Sequence, residues 1–204
     1  MAPAIRDCCI ALLAAAASYG CSSSAVPLES RLDLNTGVTV QTLETPIVLA
    51  RPIPRLATSA RDYAYLGPVE INRMGTREYF LWIAMGSTLD RSFVGEPRPT
   101  ATTLHLMLDG EPMPLPLSAW HQDIATPPYA VGTPVHEHLR TRVSLDQLRR
   151  IARAGSIDVH IAAADMTTDR YRLWDGRWGE LAKFTNEVAD SPSDSTTRVS
   201  AHEP

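Results

Sequence analysis

Alternating apolar and polar residues dominate the first two thirds of the chain and predict β-strands. Val38–Leu43 alternates with a period of two, which is typical of a strand with one buried face. Ile47–Ala50 is a short apolar run between Pro46 and Pro52. Because proline cannot donate a hydrogen bond to a neighbouring strand, we expect this segment to form an edge strand.

The clearest hairpin signal lies between Tyr63–Arg73 and Arg77–Met85, which flank the turn sequence Met74-Gly75-Thr76. The second of these segments is apolar on both of its faces. A strand of this kind is covered on both sides, so we expect it to be central in its sheet.

A second hairpin is predicted around Asp109-Gly110, between Thr103–Leu108 and Met113–Leu117. The return segment carries prolines at positions 112, 114 and 116. These prolines favour an edge position for that strand.

The last third of the chain mixes strand and helix patterns. Val135–Val143 and Ser156–Ala163 alternate as strands. Between them, Ser144 is a suitable N-cap for a helix that Gly155 ends, and Trp178–Val188 has the apolar spacing of a second helix. The predicted fold class is therefore α+β and mainly β, with an antiparallel sheet or a β-sandwich and one or two helices late in the chain.

Composition divides the chain into four segments. Residues 1–20 have the form of a signal peptide, and residues 21–30 are polar and contain Pro27, as expected of a tether. Residues 31–189 are long enough to form a single globular domain with one hydrophobic core. Residues 190–204 contain one large aliphatic side chain, Val199, and are predicted to be a disordered tail.

Charge and motifs narrow the function classes. The formal net charge is −4, so the chain lacks the basic excess that nucleic-acid binding requires. Neither a Walker phosphate loop nor a glycine-rich dinucleotide motif occurs in the sequence, and we predict no cofactor. Beyond residue 20, no apolar run approaches the roughly 20 residues of a membrane-spanning helix.

All three cysteines, Cys8, Cys9 and Cys21, precede residue 22. An apolar run from Cys8 to Ala17 is followed by small residues that end in Gly20-Cys21. This segment resembles the signal peptide of bacterial lipoproteins, in which a lipobox precedes a cysteine that is acylated. Two alternatives are cleavage within residues 14–18 by the general signal peptidase, which leaves Cys21 as a free thiol, and a buried N-terminal helix.

The lipoprotein resemblance implies acyl chains on Cys21 and a membrane-bound mature protein. Serine at position 22 is similar to the pattern sorted to the outer membrane, so the implied location is the cell envelope, with the domain facing the periplasm. The segment Ala60–Arg91 also resembles uncharacterised proteobacterial envelope proteins, a likeness that implies no activity. Within it, polar residues lie near the hairpin tip: Glu70, Asn72 and Arg73. We expect them to be solubilising residues, and a functional role is the alternative.

One pair of histidines has metal-ligand spacing. His136 and His138 alternate on one strand face, so two imidazoles there can bind zinc with a third ligand from elsewhere. Arg140 and Arg142 continue the same face and repel a dication, which favours a solvated surface. The third ligand would come from residues distant in sequence: His105, His121, Asp123, Asp158 or His160.

Aromatic residues in or beside loops suggest a ligand-binding surface. Trp120, Trp174 and Trp178, together with Tyr129, can stack on sugars or anchor a partner protein if their rings are exposed. The alternative is that Trp174 and Trp178 pack beneath the last helix.

Three functions therefore remain open. The first is a lipid-anchored protein that binds or scaffolds an envelope protein or peptidoglycan. The others are a metal-dependent periplasmic enzyme that uses His136 and His138, and a carbohydrate- or peptidoglycan-binding module.

Overall fold

The computed structural model describes residues 28–89, 99–120, 124, 126–175 and 178–190. Within these residues the chain is mainly β, with two helices late in the sequence, as predicted. The elements are β1 (Leu28–Asp33), β2 (Val38–Leu43), β3 (Ile47–Pro52), β4 (Arg61–Arg73), β5 (Thr76–Ser87), β6 (Ala101–Leu108), β7 (Glu111–Pro116), β8 (Ser118–Ala119), β9 (Val135–Val143), α1 (Leu145–Arg153), β10 (Ile157–Ala163), β11 (Thr168–Leu173) and α2 (Gly179–Asp190).

The described strands join in one antiparallel network in the order β7-β6-β10-β11-β3-β4-β5-β9-β8. Strand β1 pairs with β2, and β2 pairs with β4. The predicted hairpin of β4 and β5 is confirmed, and β5 lies between β4 and β9. Its residues from Phe80 to Ser87 are buried on both faces, which confirms the prediction of a central strand.

The prediction of an edge position is wrong for β3 and correct for β7. Strand β3 lies between β4 and β11, because Pro46 precedes the strand and Pro52 is its last residue, so neither interrupts the ladder. Strand β7 pairs with β6 at one end of the strand order, and its prolines at positions 112, 114 and 116 are exposed.

The predicted tether, residues 21–30, overlaps the first strand. Strand β1 begins at Leu28 rather than after Ser30.

Strands β2 and β3 lie end to end along the same edge of β4. Strand β3 pairs with β4 up to Leu66, and β2 pairs with it from Val69 onward. Gly67 and Pro68 therefore lie opposite a break in the ladder. The break suits Pro68, which has no backbone N–H to donate there.

Tyr129 closes this break from the segment before β9. Its hydroxyl donates to the Pro68 carbonyl at 2.5 Å and accepts from the Leu43 N–H at 3.2 Å. Its ring lies on Gly67 and is 5.2 Å from the Trp82 ring, centroid to centroid. Tyr129 is 5% exposed, so it is a core residue and not the exposed loop aromatic that the sequence suggested.

Helix α1 begins where the sequence predicts. The Ser144 hydroxyl accepts from the Gln147 N–H at 3.1 Å, and the Gln147 side chain accepts from the Ser144 N–H at 2.8 Å, which together form a capping box. The helix ends at its C-cap Ala154, one residue before Gly155. Helices α1 and α2 pack against each other with Leu148, Ile151, Leu181 and Phe184 buried in the core.

Candidate functional site

The predicted lipidation site, Cys21, lies outside the described residues, as do the rest of the predicted signal peptide and the tail from residue 191 onward. The described chain begins at Leu28, seven positions after Cys21. Neither described helix is long and apolar enough to cross a membrane.

The two histidines of the predicted metal site have different surroundings. His138 is half-buried, and its ring lies 5.7 Å from the Trp82 ring. Burial lowers the pKa of His138, which favours the neutral imidazole, and its Nδ1 has no hydrogen-bond partner among the described residues. His136 is exposed and lies where the pairing of β9 with β5 shifts register by one residue, so the ideal alternation that predicted a shared face is interrupted.

No group of three metal-ligating side chains forms among the described residues. Of the predicted third ligands, His105, His160 and Asp158 lie on β6 and β10, which β11, β3, β4 and β5 separate from β9 in the strand order. His121 and Asp123 lie outside the described residues. The metal site therefore stays a prediction.

The arginines that follow the histidines agree with a solvated strand face. Arg142 is largely exposed and forms an ion pair with Glu78 at 2.8 Å. The guanidinium of Arg140 lies over the Phe80 ring, 5.2 Å from its centroid.

The three predicted tryptophans have different surroundings. Trp174 is 56% exposed, with its ring 6.1 Å from the Tyr63 ring and 5.2 Å from the Arg61 guanidinium. Trp178 is half-buried and packs against the core beside a small apolar cavity. Trp120 is half-buried, and its backbone N–H donates to the His138 carbonyl. Of the three, Trp174 presents the most accessible ring.

Two acidic residues have unexpected positions inside the domain. Glu70 is 3% exposed, so the prediction of a solubilising role near the hairpin tip is wrong. Burial raises its pKa, while the Arg77 guanidinium, 3.5 Å away, lowers it. Burial also raises the pKa of Glu137, which accepts a hydrogen bond from the Ala101 N–H. The acidic character of Glu137 gave no sign of this partial burial.

Three basic side chains lie in a row across the outer face of β6, β10 and β11. His105 on β6 lies directly opposite His160 on β10, and His160 lies opposite Arg170 on β11. Asp158 pairs with Arg170 at 2.7 Å, and this contact lowers the pKa of the carboxyl. Sequence reasoning missed the pairing of the two histidines, because it depends on the register of strands fifty residues apart.

Comparison of the chain with protein-family models, with curated proteins and with solved structures finds no match.

Proposed function

We propose that this protein is a lipid-anchored component of a bacterial envelope. Acyl chains on Cys21 hold it at a membrane, and its β-rich domain binds or scaffolds another envelope component in the periplasm. The observation that carries the proposal is Gly20-Cys21, placed directly after a short apolar segment and small residues. By the resemblance to lipoproteins, the membrane would be the outer membrane.

The chemistry of the rest of the chain supports this proposal. Residues 22–204 contain no cysteine, so the domain needs no disulfide and carries no thiol that an oxidising compartment would modify. Lipoprotein processing attaches more than one acyl chain. Two or more chains anchor a protein stably, whereas a single chain binds a membrane only weakly.

Replacing Cys21 by serine is expected to abolish the anchor. The wild-type protein from a membrane fraction should have the mass of a diacylated or triacylated chain that begins at Cys21, and the Cys21→Ser protein should lose both this mass and its membrane association. Intact-mass spectrometry and fractionation measure the two effects. Cys8→Ser is the matched control, because that residue lies in the segment that is removed. An unmodified wild-type mass, or a start upstream of Cys21, would contradict the proposal.

A second candidate is a carbohydrate- or peptidoglycan-binding module, and the exposure of Trp174 favours it. An accessible indole ring can stack on the apolar face of a sugar, and Tyr63 and Arg61 beside it offer an aromatic edge and a hydrogen-bond donor. In this function the acyl anchor would hold the domain near the cell wall.

Trp174→Ala should then weaken binding to purified peptidoglycan by about two- to tenfold, the range expected for the loss of one stacking contact. Co-sedimentation of the domain with peptidoglycan sacculi measures the change. Trp174→Phe keeps an aromatic face and should retain part of the binding. Equal sedimentation of the wild-type and Trp174→Ala proteins would exclude this surface.

A further inference from the structure

Two neighbouring hairpins present fully exposed apolar side chains at one end of the sheet. Leu34, in the turn between β1 and β2, is 87% exposed, and Met74, in the turn between β4 and β5, is 101% exposed. The two turns are adjacent because Thr39 of β2 pairs with Asn72 of β4. With four strands in the order β1-β2-β4-β5, the turns lie two strand spacings apart, or about 10 Å. Leu32 on β1, 58% exposed, extends the same apolar end.

Methionine is an unusual residue at position 74 because of the backbone conformation of this turn. Its φ is +50°, a left-handed conformation that asparagine or glycine adopts more readily than methionine. Asn72 supports the turn by accepting a hydrogen bond from the Gly75 N–H. At 101% exposure, the Met74 side chain is fully accessible at the tip.

The charge of the two turns suits an anionic surface. Residues 34–37 and 73–76 contain a single charged residue, Arg73. The adjacent Asp33 is buried, and its carboxylate accepts hydrogen bonds from the N–H groups of Asn35 and Thr36. Residues 34–37 and 73–76 therefore present Leu34 and Met74 without a carboxylate of their own.

The predicted anchor can reach the same plane as these tips. Strand β1 runs from Leu28 toward the tip, a distance of about 17 Å at the usual rise of a strand. The seven Cα–Cα steps from Cys21 to Leu28 can extend to about 25 Å at most. A chain of this length can return from the surface at the tips to the start of β1.

We propose that Leu34 and Met74, with Leu32 beside them, form a second membrane contact, in which the two hairpin tips enter the interfacial layer of an anionic bilayer. This inference rests on the proposed lipid anchor, which holds the domain close enough for weak insertion to act. A bilayer accepts a few apolar side chains at a depth of about 5–10 Å. A protein partner would require about 800 Å² of complementary surface, far more than three side chains at two turns supply.

The chain offers a direct test, because its mature form has no cysteine available for labelling once Cys21 is acylated. Met74→Cys protein, purified from membranes, is labelled with an environment-sensitive fluorophore and reconstituted in phosphatidylcholine–phosphatidylglycerol vesicles. Lipids that carry a spin label near the headgroup should quench most of its fluorescence. Adding Leu34→Asn to this protein should reduce the quenching, because it removes half of the apolar tip.

Met166→Cys is the matched control. Met166 also lies in a hairpin turn, with a φ of +64° and 91% exposure, but at the opposite end of the sheet. Its label should stay unquenched. The membrane contact is overturned if the label at position 74 is not quenched, or if the labels at positions 74 and 166 are quenched equally. If the fluorescence of the label at position 74 shifts to the blue only when envelope proteins are added, and lipids do not quench it, the tips bind a protein partner. This result also overturns the membrane contact.

The mass of the labelled protein separates this inference from the lipid anchor. Acylated protein that shows no quenching at Met74 overturns the tip contact alone. A mass without acyl chains overturns the anchor; Cys21 is then a free thiol, so the label at position 74 is measured in a Cys21→Ser background, where quenching retains the tip contact.

Discussion

Gly67→Ala is expected to destabilise the domain by about 3 kcal/mol or more, as overpacking of a rigid core does in severe cases. A β-carbon at position 67 would overlap the ring of Tyr129, and contacts at one face and at the hydroxyl hold this ring in place. On one side it packs against Trp82, and its hydroxyl is held by the Leu43 N–H and the Pro68 carbonyl. Urea denaturation followed by circular dichroism measures the loss.

A double-mutant cycle identifies the cause. In a Tyr129→Ala background, where the ring is absent, Gly67→Ala should cost far less than in the wild-type protein, because the two changes are coupled through direct contact. Gly132→Ala is a control on the same segment, since a β-carbon there meets no other atom. If Gly67→Ala costs the same with and without the Tyr129 ring, the proposed contact is wrong.

Arg77→Ala is expected to cost about 3–5 kcal/mol, because it leaves the buried Glu70 carboxylate without its cation. The Glu70 side chain is 4% exposed and the Arg77 side chain is 17% exposed. The Arg77 guanidinium also donates to the Val188 carbonyl near the end of α2. One Glu70 oxygen already lacks a partner among the described residues. The remaining ion pair is therefore the main compensation for burial of this charge.

The cost of Arg77→Ala should depend on pH. Because burial raises the folded-state pKa of Glu70 above its ordinary value of 4.5, folding favours the protonated carboxyl. The stabilisation that this raised pKa contributes to the folded state is fully present below the unfolded-state pKa. It is lost as pH rises through the higher folded-state pKa. Removing Arg77 raises that folded-state pKa further, so the deficit relative to the wild type should grow from pH 4.5 to pH 8.

Two controls define this effect. Arg142→Ala breaks the exposed ion pair with Glu78 and should change stability by less than about 1 kcal/mol. Glu70→Leu combined with Arg77→Leu removes both charges and should cost much less than Arg77→Ala alone. A deficit for Arg77→Ala that is flat between pH 4.5 and pH 8 would contradict the role of Glu70.

The parts of the fold that sequence alone predicted are those with local signals. Met74-Gly75 joined two strands that are neighbours in the chain, and Ser144 marked the start of α1 through contacts with the next turn. Strand β3 was misplaced because its second neighbour, β11, lies more than a hundred residues away. Residues 28–30 of β1 were assigned to a tether because this partly exposed segment has few apolar residues.

The candidate sites depended more on tertiary structure. Trp174 and Tyr129 look alike in the sequence, as aromatic residues in proline-rich or turn segments, yet one is exposed and the other fills a break in the core. Nothing near Gly67 in the sequence indicates that a ring from residue 129 covers it. Glu70 was misjudged because its cation, Arg77, lies on the other strand of the same hairpin, and because α2 packs against this hairpin.

The placement of Tyr129 also links two strand pairings that close loops of very different length. The hairpin of β4 and β5 closes a loop of two residues, whereas the pairing of β5 with β9 must close one of nearly fifty, with a larger loss of chain entropy. Tyr129 reaches Gly67 from the segment just before β9. Because Tyr129 precedes the start of β9 by six positions, closure of the joint between β2 and β3 is coupled to the docking of β9 on β5: the segment that leads into the long-range pairing also supplies the side chain that covers Gly67.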